Sequence, residues 1–328
     1  MKKDAKIYVA GHMGLVGSTI CRKLQEEGYR NVLVRSRPEL DLMRQSDVEM
    51  FFRTEKPEYV FLAAAKVGGI LANNTYPAEF IYNNLTIQNN IIHSSWKTGV
   101  KRLLFLGSSC IYPRDCPQPM KEDYLLTGPL EATNEPYAIA KIAGIKTCQS
   151  FNRQYGTQYV SVMPTNLFGP HDNFNLETSH VLPALIRKYH EAKVRGERTG
   201  EKQIVEIWGT GAPRREFLHV EDLADACCFI MNLDDSQYEP IVRDGQTPLI
   251  NIGFGKDITI RELAQIIQGV VGFDGDIRFD RTKPDGTPQK LLDISKIQGL
   301  GWKPKISLKE GIRKTYNWCV DNSVFKMN

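Results

Sequence analysis

The sequence predicts an α/β protein in which a doubly wound parallel sheet occupies the first half of the chain. Short apolar segments alternate with longer helical segments up to about residue 170, and this alternation is typical of parallel strands joined by crossover helices. A glycine-rich turn at residues 11–17 joins the first apolar segment to the first helix. A fully apolar segment at residues 103–106 matches a strand buried on both faces. With 328 residues, the chain can hold this domain and a smaller second one.

The composition is that of an ordinary soluble globular protein, with 41% hydrophobic and 24% charged residues. The formal net charge of +4 is small for this length and favours neither nucleic-acid binding nor a membrane surface. No signal peptide is expected, and the longest apolar runs, such as residues 59–65, are too short to span a bilayer. The seven cysteines are odd in number and lack the spacing of zinc ligands. We therefore expect a protein of the reducing cytoplasm without a metal site.

The first strand is predicted at residues 6–10 and runs directly into Gly11-x-x-Gly14-x-x-Gly17, with a helix predicted at residues 18–27. A strand, a glycine turn and a helix in this order are typical of the dinucleotide-binding unit of Rossmann-like folds. The glycines let the backbone approach a pyrophosphate, and the helix N-terminus offers it free N–H groups. The residues predicted to line the cofactor here are Gly11, His12, Met13, Gly14, Leu15, Val16 and Gly17.

Two arginines follow the second predicted strand, which covers residues 31–34. An NAD-binding unit usually ends this strand with an acidic residue that binds a ribose hydroxyl, whereas this chain has Arg35-Ser36-Arg37. Arginine can hold a ribose 2′-phosphate through a bidentate, charge-assisted contact, so the pattern favours NADP over NAD. The alternative is that both arginines are solvated surface residues.

Small and polar residues follow the apolar strand that is predicted at residues 103–106. A helix is predicted at residues 45–54, a strand at 59–63, a long helix at 77–96 and a strand at 103–106. In open α/β sheets, ligands bind beyond the carboxyl ends of the strands. The segment that begins there is Leu106-Gly107-Ser108-Ser109-Cys110, which places two hydroxyls and a thiol at the expected binding edge.

A helix predicted at residues 136–155 carries Tyr137 and Lys141 on one face, because they are four residues apart. A cation beside a phenol favours the phenolate and is expected to lower the tyrosine pKa from its ordinary value of about 10. The phenol can then donate a proton to a carbonyl oxygen near neutral pH. The alternative is a surface helix with an ordinary tyrosine and lysine, since this spacing is frequent by chance.

Beyond residue 170 the regular alternation ends, and we expect a smaller, mixed α/β substrate domain over residues 171–328. The boundary follows a last strand of the first domain, predicted at residues 159–163. In the second domain a helix is predicted at residues 181–192 and a strand at 204–208. The charged stretch between them, residues 193–202, is expected to form an exposed excursion.

The cofactor-binding domain is thus predicted at residues 1–170, and the sequence leaves open whether residues 215–231 return to it. Two C-terminal helices are predicted from capping boxes, in which a Ser or Thr is followed three residues later by Glu. They begin at Thr259-x-x-Glu262 and Ser307-x-x-Glu310.

Several of these stretches resemble the extended short-chain dehydrogenase/reductase family, whose members act on nucleotide sugars. The shared elements are Gly11-x-x-Gly14-x-x-Gly17, Ser108, Tyr137-x-x-x-Lys141 and Pro164-Thr165-Asn166. More narrowly, the chain is similar to the epimerase-reductases of this family that convert GDP-4-keto-6-deoxy-D-mannose to GDP-L-fucose. That resemblance covers nearly the whole chain and is carried by residues 63–70, 73–77, 106–113, 135–141, 163–167 and 283–288.

The resemblance implies two steps at one carbonyl. The C4 ketone of the substrate acidifies the C3 and C5 protons, both centres are inverted, and NADPH then reduces C4. Inversion needs a base and an acid on opposite faces of the ring, and the resemblance makes Cys110 the base and His180 the acid. It implies that Ser108 binds the C4 oxygen, that Tyr137 protonates it, and that Lys141 holds the nicotinamide ribose. It also implies a homodimer.

Further positions carry over from the same resemblance. The remaining cofactor contacts are Leu106, Gly107, Ser108, Ser109, Lys141, Pro164, Thr165, Asn166, Leu167 and His180, and the substrate contacts are Lys188, Trp208, Arg215 and Asp285. Lys188 and Arg215 can alternatively be solvated charges, and Trp208 a core residue. The family often has arginine where this chain has Met13, which leaves Arg37, with Arg35, to bind the 2′-phosphate. Position 188 is lysine instead of arginine, a point charge instead of a fork.

Two other functions are weighed against this one. The first is an NAD-dependent nucleotide-sugar 4-epimerase or dehydratase that keeps its cofactor oxidised, and residues 35–37 together with Cys110 argue against it. The second is a cofactor-binding regulatory protein without activity, and an intact Ser108, Tyr137 and Lys141 argue against that.

Overall fold

A six-stranded parallel sheet forms the centre of the computed structural model, which describes residues 1–243 and 245–325. The strands are β1 (Ile7–Ala10), β2 (Val32–Leu33), β3 (Tyr59–Leu62), β4 (Arg102–Leu106), β5 (Tyr159–Pro164), β6 (Asn166–Phe168), β7 (Ile204–Trp208), β8 (Arg214–His219), β9 (Leu249–Ile252), β10 (Asp257–Thr259), β11 (Asp276–Asp280) and β12 (Gln289–Lys290). The large sheet has the order β2-β1-β3-β4-β5-β9, with every neighbouring pair parallel. The strand order reverses between β1 and β3, and ligands bind at such a switch point in open sheets. The predicted doubly wound parallel sheet is confirmed.

Helices cover the sheet and build the second half of the chain. They are α1 (Leu15–Glu26), α2 (Gln45–Glu55), α3 (Ile70–Thr75), α4 (Pro77–Lys97), α5 (Glu135–Tyr155), α6 (Val181–Thr199), α7 (Val220–Asn232), α8 (Asp235–Val242), α9 (Ile260–Val271), α10 (Ser295–Gly299) and α11 (Leu308–Asp321). Helices α4 and α5 each have proline in the first turn, where the N–H group that proline lacks would have no acceptor within the helix. They pack along each other beside the sheet, and α1 packs against α7.

Helix α6 is longer than predicted, because it continues to Thr199 through the charged stretch that we expected to be an exposed excursion. Ala192 is buried, and the Lys193 ammonium donates to the Val271 carbonyl at 3.0 Å, so this turn packs against α9. The charged residues that follow lie on the solvent face of the last turns. The helix ends at Gly200, whose φ of 71° suits a left-handed C-cap.

Two hydrophobic cores hold the chain together. The first surrounds the large sheet and includes residues of α7, β9 and α10. Residues beyond the 215–231 segment therefore also return to this core, since β9 is the sixth strand of the sheet. The second core joins α6, α9 and α11 to β7, β8 and the β6 end. Its strands form smaller sheets, with β8 between β10 and β12, and with β7 parallel to β11.

The predicted capping box at Thr259 is confirmed in full. The Thr259 hydroxyl accepts from the Glu262 N–H, and the Glu262 carboxylate accepts from the Thr259 N–H. At the start of α11 the Ser307 hydroxyl accepts from the Glu310 N–H at 3.4 Å, which is one half of the box. Within the described ranges, no helix has the length and apolar character needed to cross a membrane. The same residues include no cluster of His, Cys, Asp and Glu suited to a metal ion.

A buried carboxylate on β8 joins the turn after β9 to the segment after β12. Glu216 on β8 is fully buried and accepts hydrogen bonds from the N–H groups of Gly255 at 2.6 Å and Leu292 at 3.0 Å. We expect Glu216→Ala to lower the free energy of unfolding by about 3 kcal/mol, because these buried donors lose a charged partner. Urea unfolding measures the change. Glu206→Ala is the control, since its exposed ion pair with Arg278 is worth less than about 1 kcal/mol, and equal effects of the two variants would contradict the prediction.

Candidate active site

The glycine turn brings the backbone of β1, β3 and α1 into close contact. Gly11 has a φ of +88°, and a Cβ atom there would lie 2.7 Å from the Ala64 nitrogen. A Cβ atom on Gly17 would lie 2.1 Å from the Gly11 oxygen, so neither position can carry a side chain. Helix α1 begins at Leu15 instead of residue 18, because Gly14 is already its N-cap. The first-turn N–H groups, which have no helical partner, therefore face the end of β1.

The residues of this turn present little side-chain bulk to a ligand. Met13 is 73% exposed, Gly14 is also exposed, and His12, Leu15 and Val16 are half-buried. The turn thus fits a dinucleotide pyrophosphate, which needs close backbone approach and free N–H groups.

The two arginines after β2 differ in their surroundings. Arg35 donates to the Glu55 carboxylate at 2.7 Å and to the Val34 carbonyl at 2.8 Å. Arg37 is exposed and has no hydrogen bond or ion pair with any residue that the structure describes. Arg37 therefore has a free guanidinium for a ribose 2′-phosphate, whereas Arg35 already has an anionic partner. The sequence pattern alone does not show which of the two arginines would bind the 2′-phosphate.

The segment after β4 follows the carboxyl end of the sheet at the centre of the molecule. Leu106 closes the strand, and the Lys141 ammonium donates to its carbonyl at 2.8 Å. Gly107 is packed so closely that a Cβ atom would lie 2.3 Å from the Met163 methyl group. Ser108 is extended, with φ −157° and ψ 143°, and Ser109 begins a 3-10 turn. This geometry leaves both serines half-buried, while the turn carries Cys110 inward.

Tyr137 and Lys141 lie on the same face of α5, as predicted. The Lys141 ammonium is 5.7 Å from the centre of the Tyr137 ring, and the ring packs edge-on against Phe80 at 6.1 Å. Burial raises the pKa of Tyr137, and a Cys110 charge would raise it further, whereas the Ser108 hydroxyl lowers it. The expected lowering of the tyrosine pKa is therefore wrong as a net effect, because desolvation outweighs it. Burial also lowers the pKa of Lys141 to about 8.

Cys110 is 8% exposed, and its thiol is free. Burial raises its pKa, while a hydrogen bond with Ser108 and the charges of Lys290 and Lys141 act in the opposite direction. Because the Ser108 hydroxyl lowers the pKa of both Cys110 and Tyr137, it is close to the thiol and to the phenol. The structure thus brings together four of the five residues that the sequence assigns to catalysis.

His180, the fifth of these residues, stands at the N-cap of α6 and is exposed. The protein around its ring is still sufficient to lower its pKa by desolvation. The His180 side chain makes no capping hydrogen bond at the start of α6. The loop that carries it is fixed to the first domain, because the Gly69 N–H donates to the Thr178 carbonyl at 3.3 Å.

The turn after β5 is fixed to β8. The Thr165 hydroxyl and the Asn166 amide both donate to the Glu216 carbonyl, at 3.3 and 2.8 Å. Pro164 ends β5, and Leu167 lies within β6, which pairs with β8. These contacts hold the predicted cofactor turn at the carboxyl edge of the sheet.

The four predicted substrate contacts lie on the second half of the chain. Trp208 is 66% exposed, which excludes the core alternative, and the Lys283 ammonium lies 5.5 Å from its ring. Arg215 is half-buried and donates to the Thr287 carbonyl at 2.6 Å, and burial lowers its pKa, so it is not a fully solvated charge. The Lys188 ammonium donates to the Glu206 carbonyl at 3.2 Å.

Asp285 already has a structural partner. Its carboxylate accepts from the Thr210 N–H at 2.9 Å and from the Thr210 hydroxyl at 2.7 Å, and these bonds lower its pKa. Asp285 thereby fixes the turn after Trp208, although it remains exposed. Its contact to a substrate would use the second lone pairs of the same oxygens.

Sequence analysis missed Lys290. It lies on β12, two residues beyond the 283–288 stretch, and lines an enclosed pocket together with Cys110. Burial lowers its pKa, whereas a charge on Cys110 would raise it. A cation so soon after a family-specific stretch was the available signal, but only the folded structure shows that Lys290 lines the same pocket as the thiol.

Comparison with known proteins gives matches over nearly the whole chain. A family model described as the NAD dependent epimerase/dehydratase family matches residues 7–245. The chain is 59% identical over 320 residues to GDP-L-fucose synthase 1 of Arabidopsis thaliana, covering 98% of this chain and 94% of the relative. It is 54% identical over 319 residues to GDP-L-fucose synthase of Escherichia coli strain K12, covering 97% of each. A GDP-mannoheptose C4 reductase from Campylobacter jejuni, solved with NADP bound, is 44% identical with a TM-score of 0.87, covering 97% of this chain and 99% of that one.

Proposed function

The chain belongs to the NAD dependent epimerase/dehydratase family, and on that premise we propose that it converts GDP-4-keto-6-deoxy-D-mannose to GDP-L-fucose with NADPH. The observation that carries this function is that the Ser108 hydroxyl is close to both the Cys110 thiol and the Tyr137 phenol. A base for epimerisation and an acid for reduction can then act on one carbonyl. Relatives of 54–59% identity carry the name GDP-L-fucose synthase.

In the epimerisation, Cys110 as thiolate removes the proton from C3 or C5, and the C4 oxygen takes up the negative charge as an enolate. His180 as imidazolium returns a proton to the opposite face of the same carbon, which inverts it. The Ser108 hydroxyl donates to the C4 oxygen and stabilises the developing charge. Because this enolate oxygen is also the oxygen of the ketone to be reduced, both steps use the same binding mode.

In the reduction, Tyr137 donates its proton to the C4 oxygen as that oxygen becomes an alkoxide. Bound NADPH supplies the hydride for C4. Lys141 binds the nicotinamide ribose and offers a positive charge that favours the tyrosinate left after proton transfer. With a pKa of about 8, Lys141 is still mostly protonated at neutral pH.

In this proposal, the first half of the chain binds the cofactor and the second half binds the substrate. The glycine turn holds the NADP pyrophosphate, Arg37 the 2′-phosphate, and the turns after β4 and β5 the nicotinamide end. Arg215 and Lys188 bind the diphosphate of the GDP-sugar, Trp208 packs on the nucleotide, and Asp285 accepts from it. The two hydrophobic cores support a division into a cofactor domain near residues 1–170, with returning segments, and a substrate domain.

A homodimer and a cytoplasmic location complete the proposal. Tyr82 on α4 is 65% exposed and Ile139 on α5 is 41% exposed, which gives this helix pair an apolar outer face suited to a second copy. All seven cysteines are free thiols, which suits a reducing compartment.

The function is tested by one incubation in heavy water with purified protein, NADPH and GDP-4-keto-6-deoxy-D-mannose. The proposal expects NADPH consumption and two solvent deuterons in the product, at C3 and C5. Consumption without exchange would instead identify a C4 reductase, as the Campylobacter jejuni relative is named. Deuterium exchange without NADPH consumption would contradict the reductase activity. The absence of both exchange and consumption would show that the substrate is wrong.

Cofactor preference gives a separate prediction. Arg37→Ala is expected to raise the Kd for NADPH about tenfold to hundredfold and to leave the Kd for NADH unchanged, because a charge-assisted hydrogen bond contributes about 1.5–3 kcal/mol. Met13→Arg should act in the opposite direction by adding a second free guanidinium. Quenching of protein fluorescence measures each Kd. An equal loss for both cofactors in Arg37→Ala would contradict the role of Arg37 in selecting the 2′-phosphate.

A further inference from the structure

A single base that inverts two carbon centres must lose its proton between the two inversions. After the first, Cys110 is a neutral thiol and cannot take a second proton. His180 has the opposite need, and bulk water can reprotonate it because it is exposed. Cys110 is 8% exposed, and the bound substrate would cover its remaining accessible side. Its proton therefore needs a path through the protein.

An enclosed pocket beside Cys110 offers such a path. Its polar lining includes Cys110, Arg114, Gln118, Glu131, Gln289 and Lys290. The free volume of about 10 Å³ is close to the minimum for one ordered water, and the polar lining supplies its hydrogen-bond partners. Lys290 is half-buried, so its ammonium has both the pocket and solvent within reach.

We propose that Lys290 accepts the proton of the Cys110 thiol between the two inversions and releases it to solvent, an inference that rests on the function proposed above. In the first step the S–H bond breaks and the neutral Lys290 amine gains the proton, directly or through one water. The thiolate is regenerated beside an ammonium that stabilises it. In the second step the ammonium gives the proton to bulk water, and no other reactant is needed.

The charges around the pair support the transfer. Burial raises the pKa of Cys110 and lowers the pKa of Lys290, and it therefore favours the neutral thiol and the neutral amine, the two forms from which the transfer starts. The other groups acting on Lys290 are Arg215, which lowers its pKa, and Glu131 and Cys116, which raise it. Those acting on Cys110 besides Lys290 are Ser108 and Lys141. The Glu131 carboxylate also lines the pocket, but a carboxylate is ordinarily a much weaker base than an amine, so an amine is the better acceptor for a thiol proton.

Lys141 is a competing acceptor, and its surroundings argue against it. It is 3% exposed, and its ammonium donates to the Leu106 carbonyl at 2.8 Å. A proton passed to Lys141 would remain enclosed beneath the cofactor site. Lys290 lies on a strand of the second half of the chain and is half-buried, so it is less enclosed than Lys141.

The Lys290→Arg variant distinguishes proton transfer by Lys290 from an effect of its positive charge alone. Arginine keeps the cation that a substrate diphosphate would require, but it has no neutral form in a protein and cannot accept a proton. With enzyme in excess over GDP-4-keto-6-deoxy-D-mannose in heavy water, without NADPH, we expect the first deuteron to enter at the wild-type rate. The second should enter at least about tenfold more slowly, so that singly labelled sugar accumulates.

Lys290→Ala with added ethylamine provides a second test that does not depend on how arginine fits. We expect ethylamine to restore the second exchange in this variant and to leave the wild type unchanged. Lys121→Arg is the control, because Lys121 is exposed and does not line the pocket. It should exchange both positions as the wild type does.

The outcomes distinguish the two proposals. If the wild type exchanges no deuteron, the epimerase function itself fails. If the wild type exchanges both and Lys290→Arg does so at the same rates, proton transfer through Lys290 is overturned. It is also overturned if Lys290→Arg slows both exchanges equally and weakens substrate binding, because Lys290 would then act only as a binding charge.

Discussion

Tyr137→Phe is expected to lower the rate of NADPH oxidation about a thousandfold, since positioned acids contribute about 10²–10⁴-fold. Deuterium exchange at C3 and C5 should continue, because it uses Cys110 and His180. The substitution removes only the hydroxyl, and the ring can keep its edge-on contact with Phe80 at 6.1 Å. Absorbance of NADPH and mass of the recovered sugar measure the two steps in one sample.

Tyr189→Phe is the matched control for this variant. The Tyr189 hydroxyl is buried in the second core without a hydrogen-bond partner among the described residues, so its loss should leave both rates unchanged. If Tyr137→Phe loses exchange together with reduction, Tyr137 must also stabilise the enolate. If Tyr137→Phe keeps both exchange and reduction, another group protonates the C4 oxygen, and the role assigned to the Tyr–Lys pair is wrong.

The parts of the site that follow local rules could be predicted from the sequence. The glycine turn is set by close backbone packing at Gly11 and Gly17, and the Tyr137–Lys141 spacing by helix geometry. Both are short-range and depend on few other residues. The parallel sheet follows in the same way from the alternation of strands and helices, although strand and helix ends move by a few residues.

The parts that depend on distant contacts could not be predicted. Lys290 shares a pocket with Cys110, although the two are 180 residues apart in the sequence. Glu216 is a buried acceptor only because three segments meet there. The pKa directions were missed for the same reason. A sequence shows that Lys141 is near Tyr137, but it does not show how deeply both are buried, and burial decides the sign.

Cys110→Ala is expected to abolish exchange at both C3 and C5, a loss of more than about a thousandfold, because no other base replaces the thiolate. Reduction of the C4 ketone should continue more slowly, since Ser108, Tyr137 and Lys141 remain. The product would then be a GDP-6-deoxyhexose with the original configuration at C3 and C5, distinguishable by NMR from GDP-L-fucose. Cys319→Ala, which removes a buried thiol in the second core, should leave exchange unchanged.

The pH dependence of exchange provides a second measurement on the same thiol. Burial raises the pKa of Cys110, so the reactive thiolate fraction grows as the pH rises towards that pKa. Burial lowers the pKa of His180, so the imidazolium that donates the proton is lost as the pH rises through this lower pKa. Because the two required forms change in opposite directions between these pKa values, the exchange rate of the wild type should rise with pH below the His180 pKa, stay nearly constant between the two, and fall above the Cys110 pKa. A rate that falls steadily from pH 6 upward would show that the acid alone controls exchange and that Cys110 does not titrate as the base.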